Sequence, residues 1–240
     1  MIKRIFGILA AGSLIVGGQA MADPIEAGDF GSGSTADFGG FGGGTTCTAY
    51  SSLDPAEAGN FSIRTVNDTG GNGVTGVGVA GRTNGEIDIG EGIVCETTDP
   101  VVIGEIIVSL LFDGPEFNDV AEVATISAML SGGGMISGDL TVNGTTSAVW
   151  SGADGTVINI DAAVSNGAAV WGLSNPFGDN AITSLTFGAK EGNCIQSSGC
   201  GNQSDYNLVS ITASVPEPGT LALLGLGLVG MGLARRRNKA

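Results

Sequence analysis

Short apolar runs, broken by polar residues and turn signals, occupy most of the chain between residues 61 and 214. In TVINIDAAV, Ile158 and Ile160 alternate with Asn159 and Asp161, which is the period of a half-buried strand. Residues 101–112 are almost continuously apolar, as in a strand buried on both faces. The pattern predicts strands at residues 61–66, 74–80, 85–89, 101–112, 121–130, 135–142, 147–150, 156–164, 168–173, 181–187 and 206–214.

Asn-Gly and Asp-Gly pairs, the residues of tight hairpin turns, separate most of these runs. Many short strands at even spacing predict an all-β domain over residues 47–214, built as a two-sheet sandwich or jelly roll. Residues 117–130 also fit an amphipathic helix, but Thr125, Ile126 and the nearby glycines favour a strand.

A glycine-rich leader, residues 23–46, precedes this domain. Its composition predicts a flexible or loosely packed segment. Phe30, Phe38 and Phe41 are spaced along it, and they either act as adhesive points or fill in an edge of the domain.

Charge and composition narrow the range of functions. Residues 23–215 hold three basic side chains against 23 acidic ones, a net charge of −20 that disfavours nucleic acid and anionic lipid as partners. The chain has no histidine, which removes the usual general base and the usual zinc ligand. We therefore expect a protein that is not an enzyme.

Four cysteines, an even number, predict two disulfides in an exported chain, with three connectivities open. We favour Cys47 with Cys95 and Cys194 with Cys200, because only five residues separate the second pair. A metal site is the alternative, although the chain lacks both a C-x-x-C pair and histidine.

Both ends of the chain carry apolar segments. Residues 1–22 combine Lys3 and Arg4, an apolar stretch and the sequence Ala20-Met21-Ala22, which predicts a signal helix cleaved by signal peptidase before Asp23. An N-terminal membrane anchor is the alternative.

Residues 221–234 are uncharged and precede a basic tail of Arg235, Arg236 and Arg237. A helix of these 14 residues measures about 21 Å, short of the hydrocarbon core of about 30 Å. We expect a short hydrophobic helix that enters the inner membrane transiently, with the arginines on the cytoplasmic side.

Val215-Pro216-Glu217-Pro218-Gly219 stands immediately before that apolar stretch. The order of motif, apolar helix and arginines over residues 215–240 resembles the PEP-CTERM sorting signal of Gram-negative bacteria. The resemblance implies that exosortase, a membrane enzyme, reads the Pro-Glu-Pro segment and removes the tail. Two prolines hold the backbone extended, as a protease-like site requires. An ordinary anchor with a proline-containing stalk is the alternative.

Oxygen-bearing side chains cluster after residues 101–112, in FDGPEFNDVAE. Calcium takes six to eight oxygen ligands, so this cluster is a candidate calcium site, with a solvated acidic turn as the alternative. A hydrolase using Asp113 and Glu116 is a further hypothesis. The candidate ligands are Asp113, Glu116, Asn118 and Asp119.

Trp150 and Trp171 each end a predicted strand and precede a turn. A tryptophan that is exposed at the end of a strand can stack on a sugar ring, whereas a buried tryptophan covers the core.

Taken with the resemblance, these features predict an exported protein that works at the cell surface or outside the cell. The resemblance implies a structural or adhesive role linked to exopolysaccharide, biofilm or floc, with polysaccharide as its partner. The alternative is a specific carbohydrate-binding module of the β-sandwich type.

Overall fold

The computed structural model describes residues 20–21, 23–114, 121–164, 167–192 and 204–215. Met21–Val215 form one compact unit. The described residues form 15 strands and one 3-10 turn, Ala27–Asp29. The strands are β1 (Ala20–Met21), β2 (Ile25–Glu26), β3 (Thr35–Phe38), β4 (Thr45–Leu53), β5 (Ala56–Ala58), β6 (Phe61–Asn67), β7 (Gly73–Val79), β8 (Gly92–Ser109), β9 (Val123–Leu130), β10 (Met135–Gly144), β11 (Ser147–Trp150), β12 (Thr156–Asp161), β13 (Val170–Ser174), β14 (Ile182–Lys190) and β15 (Asn207–Val215).

The strands belong to one large antiparallel sheet that is not closed. Its main path runs β11-β10-β9-β14-β8-β15-β7-β6, and β12, β13 and β4 join it through pairings off that path. The β class is therefore confirmed. All strands share one hydrogen-bonded network, so separation into two sheets stays a prediction.

The 18-residue strand β8 links two sets of partners. Its first half pairs with β4 and β14, and its second half pairs with β13 and β15. Pro100 lies at the change of partners, where the ladder to β14 jumps from Glu96 to Val101. Proline has no N–H to donate, so a ladder is readily interrupted there.

Residues 85–89, a predicted strand, instead form a turn with only isolated bridges at Glu86 and Ile89. Asp88 accepts a hydrogen bond from the N–H of Thr83 at 2.7 Å, and Glu91 accepts one from the N–H of Arg82 at 2.9 Å. Carboxylates that satisfy nearby backbone N–H groups compete with strand pairing in this way.

Residues 123–130, which also fit an amphipathic helix, form the strand β9. Val123–Leu130 pair with β10 on one side and β14 on the other, and Ala124, Ile126 and Ala128 are buried. Residues 115–120 lie outside the described residues.

The glycine-rich leader departs from the expectation of a flexible segment. It contains β2, β3 and the first residues of β4, and Ile25, Phe30 and Phe41 are buried in the core. Phe30 packs against Phe38 and Phe61, with both ring-centre separations at 4.9 Å. Its aromatic side chains supply enough apolar surface to order the segment, in keeping with their predicted role at the edge of the domain.

Cys47 and Cys95 form the predicted disulfide across the β4–β8 pair. Cys194 and Cys200 lie outside the described residues, so their pairing stays a prediction. The predicted signal helix and C-terminal helix also lie outside them. In the part of the chain that the structure describes, no helix has the length and apolar character needed to cross a membrane.

Candidate ligand-binding cleft

A cleft of about 520 Å³ opens on one face of the sheet, over strands β8, β12, β13 and β15. Register brings its floor together, because β13 pairs with both β8 and β12 and β15 pairs with the other side of β8. The floor is apolar, as in most small-molecule sites. It consists of Ile107, Ile160, Val170 and Val209.

Strand β15 carries an irregularity that helps to form this floor. Its pairing with β8 shifts between Leu208 and Ser210, so Val209 is the extra residue of a bulge. Bulges bend a strand and redirect a side chain. Val209 consequently lines the cleft, whereas Leu208 is buried in the core.

Two chain segments form the walls. One is the β6–β7 hairpin, which contributes Asp68, Val74 and Thr75, and the other is the 3-10 turn region with Glu26 and Ala27. The hairpin loop is held in shape by Asp68, whose Oδ1 accepts the N–H of Asn72 at 2.7 Å. This side chain-to-backbone closure is typical of aspartate in turns.

Asp161 lies at the end of β12, and its carboxylate joins three segments of chain. It accepts hydrogen bonds from the N–H of Thr69 at 3.2 Å, from the Thr69 hydroxyl and from the N–H of Ala168 at 2.6 Å. Burial by itself raises the pKa of Asp161, but these bonds and one from the N–H of Ala162 outweigh it, so the pKa lies below its ordinary value. The cleft therefore contains a buried carboxylate, that of Asp161, which stays ionised at neutral pH.

A second cleft, of about 580 Å³, lies on the other side of the same hairpin loop. Asn67, Thr69, Leu110 and Gly167 line it, and Asp68 lines both clefts. None of the described residues that line either cleft is basic. The two clefts share an acidic wall that can accept hydrogen bonds or hold a cation.

Comparison with protein families matches residues 214–237 to the PEP-CTERM protein-sorting motif. The chain carries a PEP-CTERM sorting motif. Comparison with curated proteins and with solved structures gives no match. The PEP-CTERM motif implies a protein that is exported and sorted to the cell surface through exosortase, and the Cys47–Cys95 disulfide fits that location.

The PEP-CTERM match begins inside the folded domain. Its first two residues, Ser214 and Val215, are the last two of β15, and Ser214 pairs with Val102 of β8. Pro216, Glu217, Pro218 and Gly219, and the basic tail of Arg235, Arg236 and Arg237, lie outside the described residues. In the sequence, the Pro-Glu-Pro residues thus follow the last strand without an intervening linker.

The two tryptophans do not line either cleft. Trp171 is 1 % exposed and donates its Nε1–H to the carbonyl of Leu111 at 2.9 Å, so its ring has no free face for a sugar. Trp150 is half-buried and packs edge-on to Phe177 at 6.4 Å. The sugar-stacking hypothesis is therefore wrong for Trp171, which covers the core.

Among the candidate calcium ligands, only Asp113 is described, and Glu116, Asn118 and Asp119 lie outside the described residues. The described residues contain no group of three or more acidic or cysteine side chains arranged to hold a metal ion. The calcium site stays a prediction.

Sequence reasoning missed the buried acids of residues 86–91. Glu86 pairs with Arg64 of β6, and Glu91 is buried against the turn. Burial raises the pKa of Glu91, and the backbone N–H groups of Arg82 and Asp88 oppose that rise. The sequence signal that could have found these acids is their position beside turn residues. The acids have a structural role, because the carboxylate oxygens of Asp88 and Glu91 accept hydrogen bonds from backbone N–H groups of the turn itself.

Proposed function

We propose that this exported protein is processed by exosortase and serves a structural or adhesive role at the cell surface or in the extracellular matrix, attached to exopolysaccharide. The sorting motif over residues 214–237 carries the proposal. Since the motif specifies export and sorting only, the role of the body rests on the cleft.

The cleft suits holding a ligand better than catalysis. A carboxyl group that acts as a general acid near neutral pH needs a raised pKa. The pKa of Asp161 is lowered, and its carboxylate oxygens already accept hydrogen bonds from Thr69 and Ala168. An apolar floor beside hydrogen-bond acceptors matches the alternating faces and hydroxyl edges of a sugar chain. We therefore propose that the protein is not an enzyme.

Within this proposal the fold is a sandwich in which β8 passes from one sheet to the other. Support comes from its change of partners near Pro100 and from a single core shared by both sets of strands, with Phe187 of β14 and Ile211 of β15 both buried in it.

The first experiment determines the intact mass of the protein in membrane, surface and medium fractions of its host. We expect a chain that starts at Asp23 and ends close to Pro218, outside the membrane. The double variant Pro216→Ala/Pro218→Ala should keep its tail and stay in the membrane fraction. A wild-type chain that keeps Ala240 in the membrane would contradict processing.

The second experiment tests the role. The processed protein is mixed with the exopolysaccharide of its host and sedimented, and a strain lacking the protein is scored for floc or biofilm. Co-sedimentation and weakened aggregation support the proposal. Protein that stays in solution, with unchanged aggregation in the deletion strain, would overturn it.

The alternative function is a specific carbohydrate-binding module, favoured by the defined cleft over Ile107, Ile160 and Val209. A glycan array separates the two functions. One tight class of glycans supports a module, whereas weak binding to the native polymer alone supports the matrix role.

A further inference from the structure

The cleft over Ile107 and Ile160 combines two properties that select a ligand. Its floor is apolar, and its walls carry the carboxyl groups of Glu26, Asp68 and Asp161 without a basic side chain among the described lining residues. Because Asp161 is buried and its pKa lies below the ordinary value, its charge persists in mildly acidic solution. An anionic polymer would meet repulsion here, and a cationic one attraction.

We infer that the cleft binds a polysaccharide whose sugars carry protonated amino groups, a proposal that rests on the matrix role above. The C–H face of a sugar ring covers the floor at Ile160 and Val209, and an ammonium group lies toward Asp68, the acidic residue common to both clefts. A hydrogen bond between two charged groups is stronger than one between neutral groups, so the amino groups set the selectivity.

A bare divalent cation fits the same carboxylates less well. Calcium needs six to eight oxygen ligands around one point. The oxygens of Asp161 already accept from Thr69 and Ala168, and Asp68 accepts from Asn72. An ammonium group has three donors, and at an open cleft it can place one or two of them on the remaining lone pairs of these oxygens and the rest on water.

Strand β12 supplies a matched pair of variants. Ile160 lines the cleft and is 52 % exposed, and Ile158, on the same face of the strand, is 45 % exposed and does not line it. Ile160→Lys places an ammonium group inside the cleft, and Ile158→Lys makes the same change in charge outside it. Both positions are open to solvent, so both variants are expected to fold, which thermal unfolding verifies.

The test is calorimetric binding of three hexasaccharides to the processed protein at about pH 5.5, a pH at which the lowered pKa of Asp161 keeps its carboxylate charged and the sugar amines are protonated. The ligands are β-linked glucosamine, its fully N-acetylated form and a uronic acid chain. We expect glucosamine to bind at least about 10-fold more tightly than the N-acetylated form, and the uronate not to bind. Ile160→Lys should weaken glucosamine binding about 10-fold, and Ile158→Lys less than about twofold.

Four results would overturn the inference. The first is equal binding of the amino and N-acetylated chains, and the second is no binding of glucosamine. The third is an equal loss of binding in the two lysine variants, which would reveal attraction to the whole acidic body. The fourth is binding of the uronate only with added calcium. In each case co-sedimentation with the native polymer decides the matrix role separately, so the two proposals fail independently.

Discussion

Asp161 and Thr69 are separated by 92 positions in the chain, yet the Asp161 carboxylate accepts hydrogen bonds from both the N–H and the hydroxyl of Thr69. This contact fastens the β6–β7 hairpin loop to the end of β12. The wall between the two clefts depends on it, because Asp68 and Thr69 follow one another in that loop.

The first prediction concerns the stability that this contact provides. Asp161→Asn replaces one accepting oxygen by an amide NH₂ that faces N–H donors, so the free energy of unfolding should fall by about 1–3 kcal/mol. Urea unfolding measures it. Asp179→Asn makes the same change in charge at an exposed position and should leave stability within about 0.5 kcal/mol of wild type. Equal losses in both variants would contradict the role assigned to Asp161.

The second prediction is the pH dependence of that contribution. The pKa of Asp161 is lower in the folded protein than in the unfolded chain, where it is about 3.9, so the unfolded state binds more protons as the pH falls. The stabilisation is present above the unfolded pKa and is lost as the pH falls through the folded one. Urea unfolding of wild type and Asp161→Asn should therefore differ less below about pH 4 than at pH 6. A constant difference would refute it.

Much of the fold could be predicted from sequence because most strands bury one face. Ser147–Trp150 was predicted with its observed bounds, and β6, β9, β10 and β14 to within a few residues. Strand β4 was missed because it buries small side chains, Cys47 and Ala49, in place of branched ones. Its many threonines and serines give it a composition that is typical of a loop.

The cleft could not be predicted in this way. Its lining extends from Glu26 to Val209, and only the pairing of β8 with β13 and β15 brings these residues together. The sequence pattern places Ile160 on one face of an alternating strand. Which face of that strand borders a cavity depends on the β6–β7 hairpin loop, which is distant in sequence. Long-range register supplies information that local periodicity lacks.

The third prediction tests a close approach between β7 and β15. A Cβ added at Gly76 would lie 2.1 Å from the side chain of Asn207, which is fully buried and accepts a hydrogen bond from the Ser109 hydroxyl. Gly76→Ala should therefore lower the free energy of unfolding by about 1–3 kcal/mol through overpacking. Gly132→Ala, where nothing lies within 4 Å, is the control and should be nearly neutral. Similar unfolding midpoints for the two variants would show that Asn207 moves aside freely.

The fourth prediction concerns the Cys47–Cys95 disulfide, which joins β4 to β8 across 48 positions. Closing a loop of this size restricts the unfolded chain, and the entropy estimate gives about 4 kcal/mol. The variant Cys47→Ala/Cys95→Ala should lose about that amount in urea unfolding. Reductant should destabilise wild type by about 4 kcal/mol more than it destabilises the variant, because the variant retains only Cys194 and Cys200. If reductant destabilised both proteins equally, the stabilising disulfide would be the one formed by Cys194 and Cys200, and the strength of the β4–β8 pair would have to come from its packed side chains.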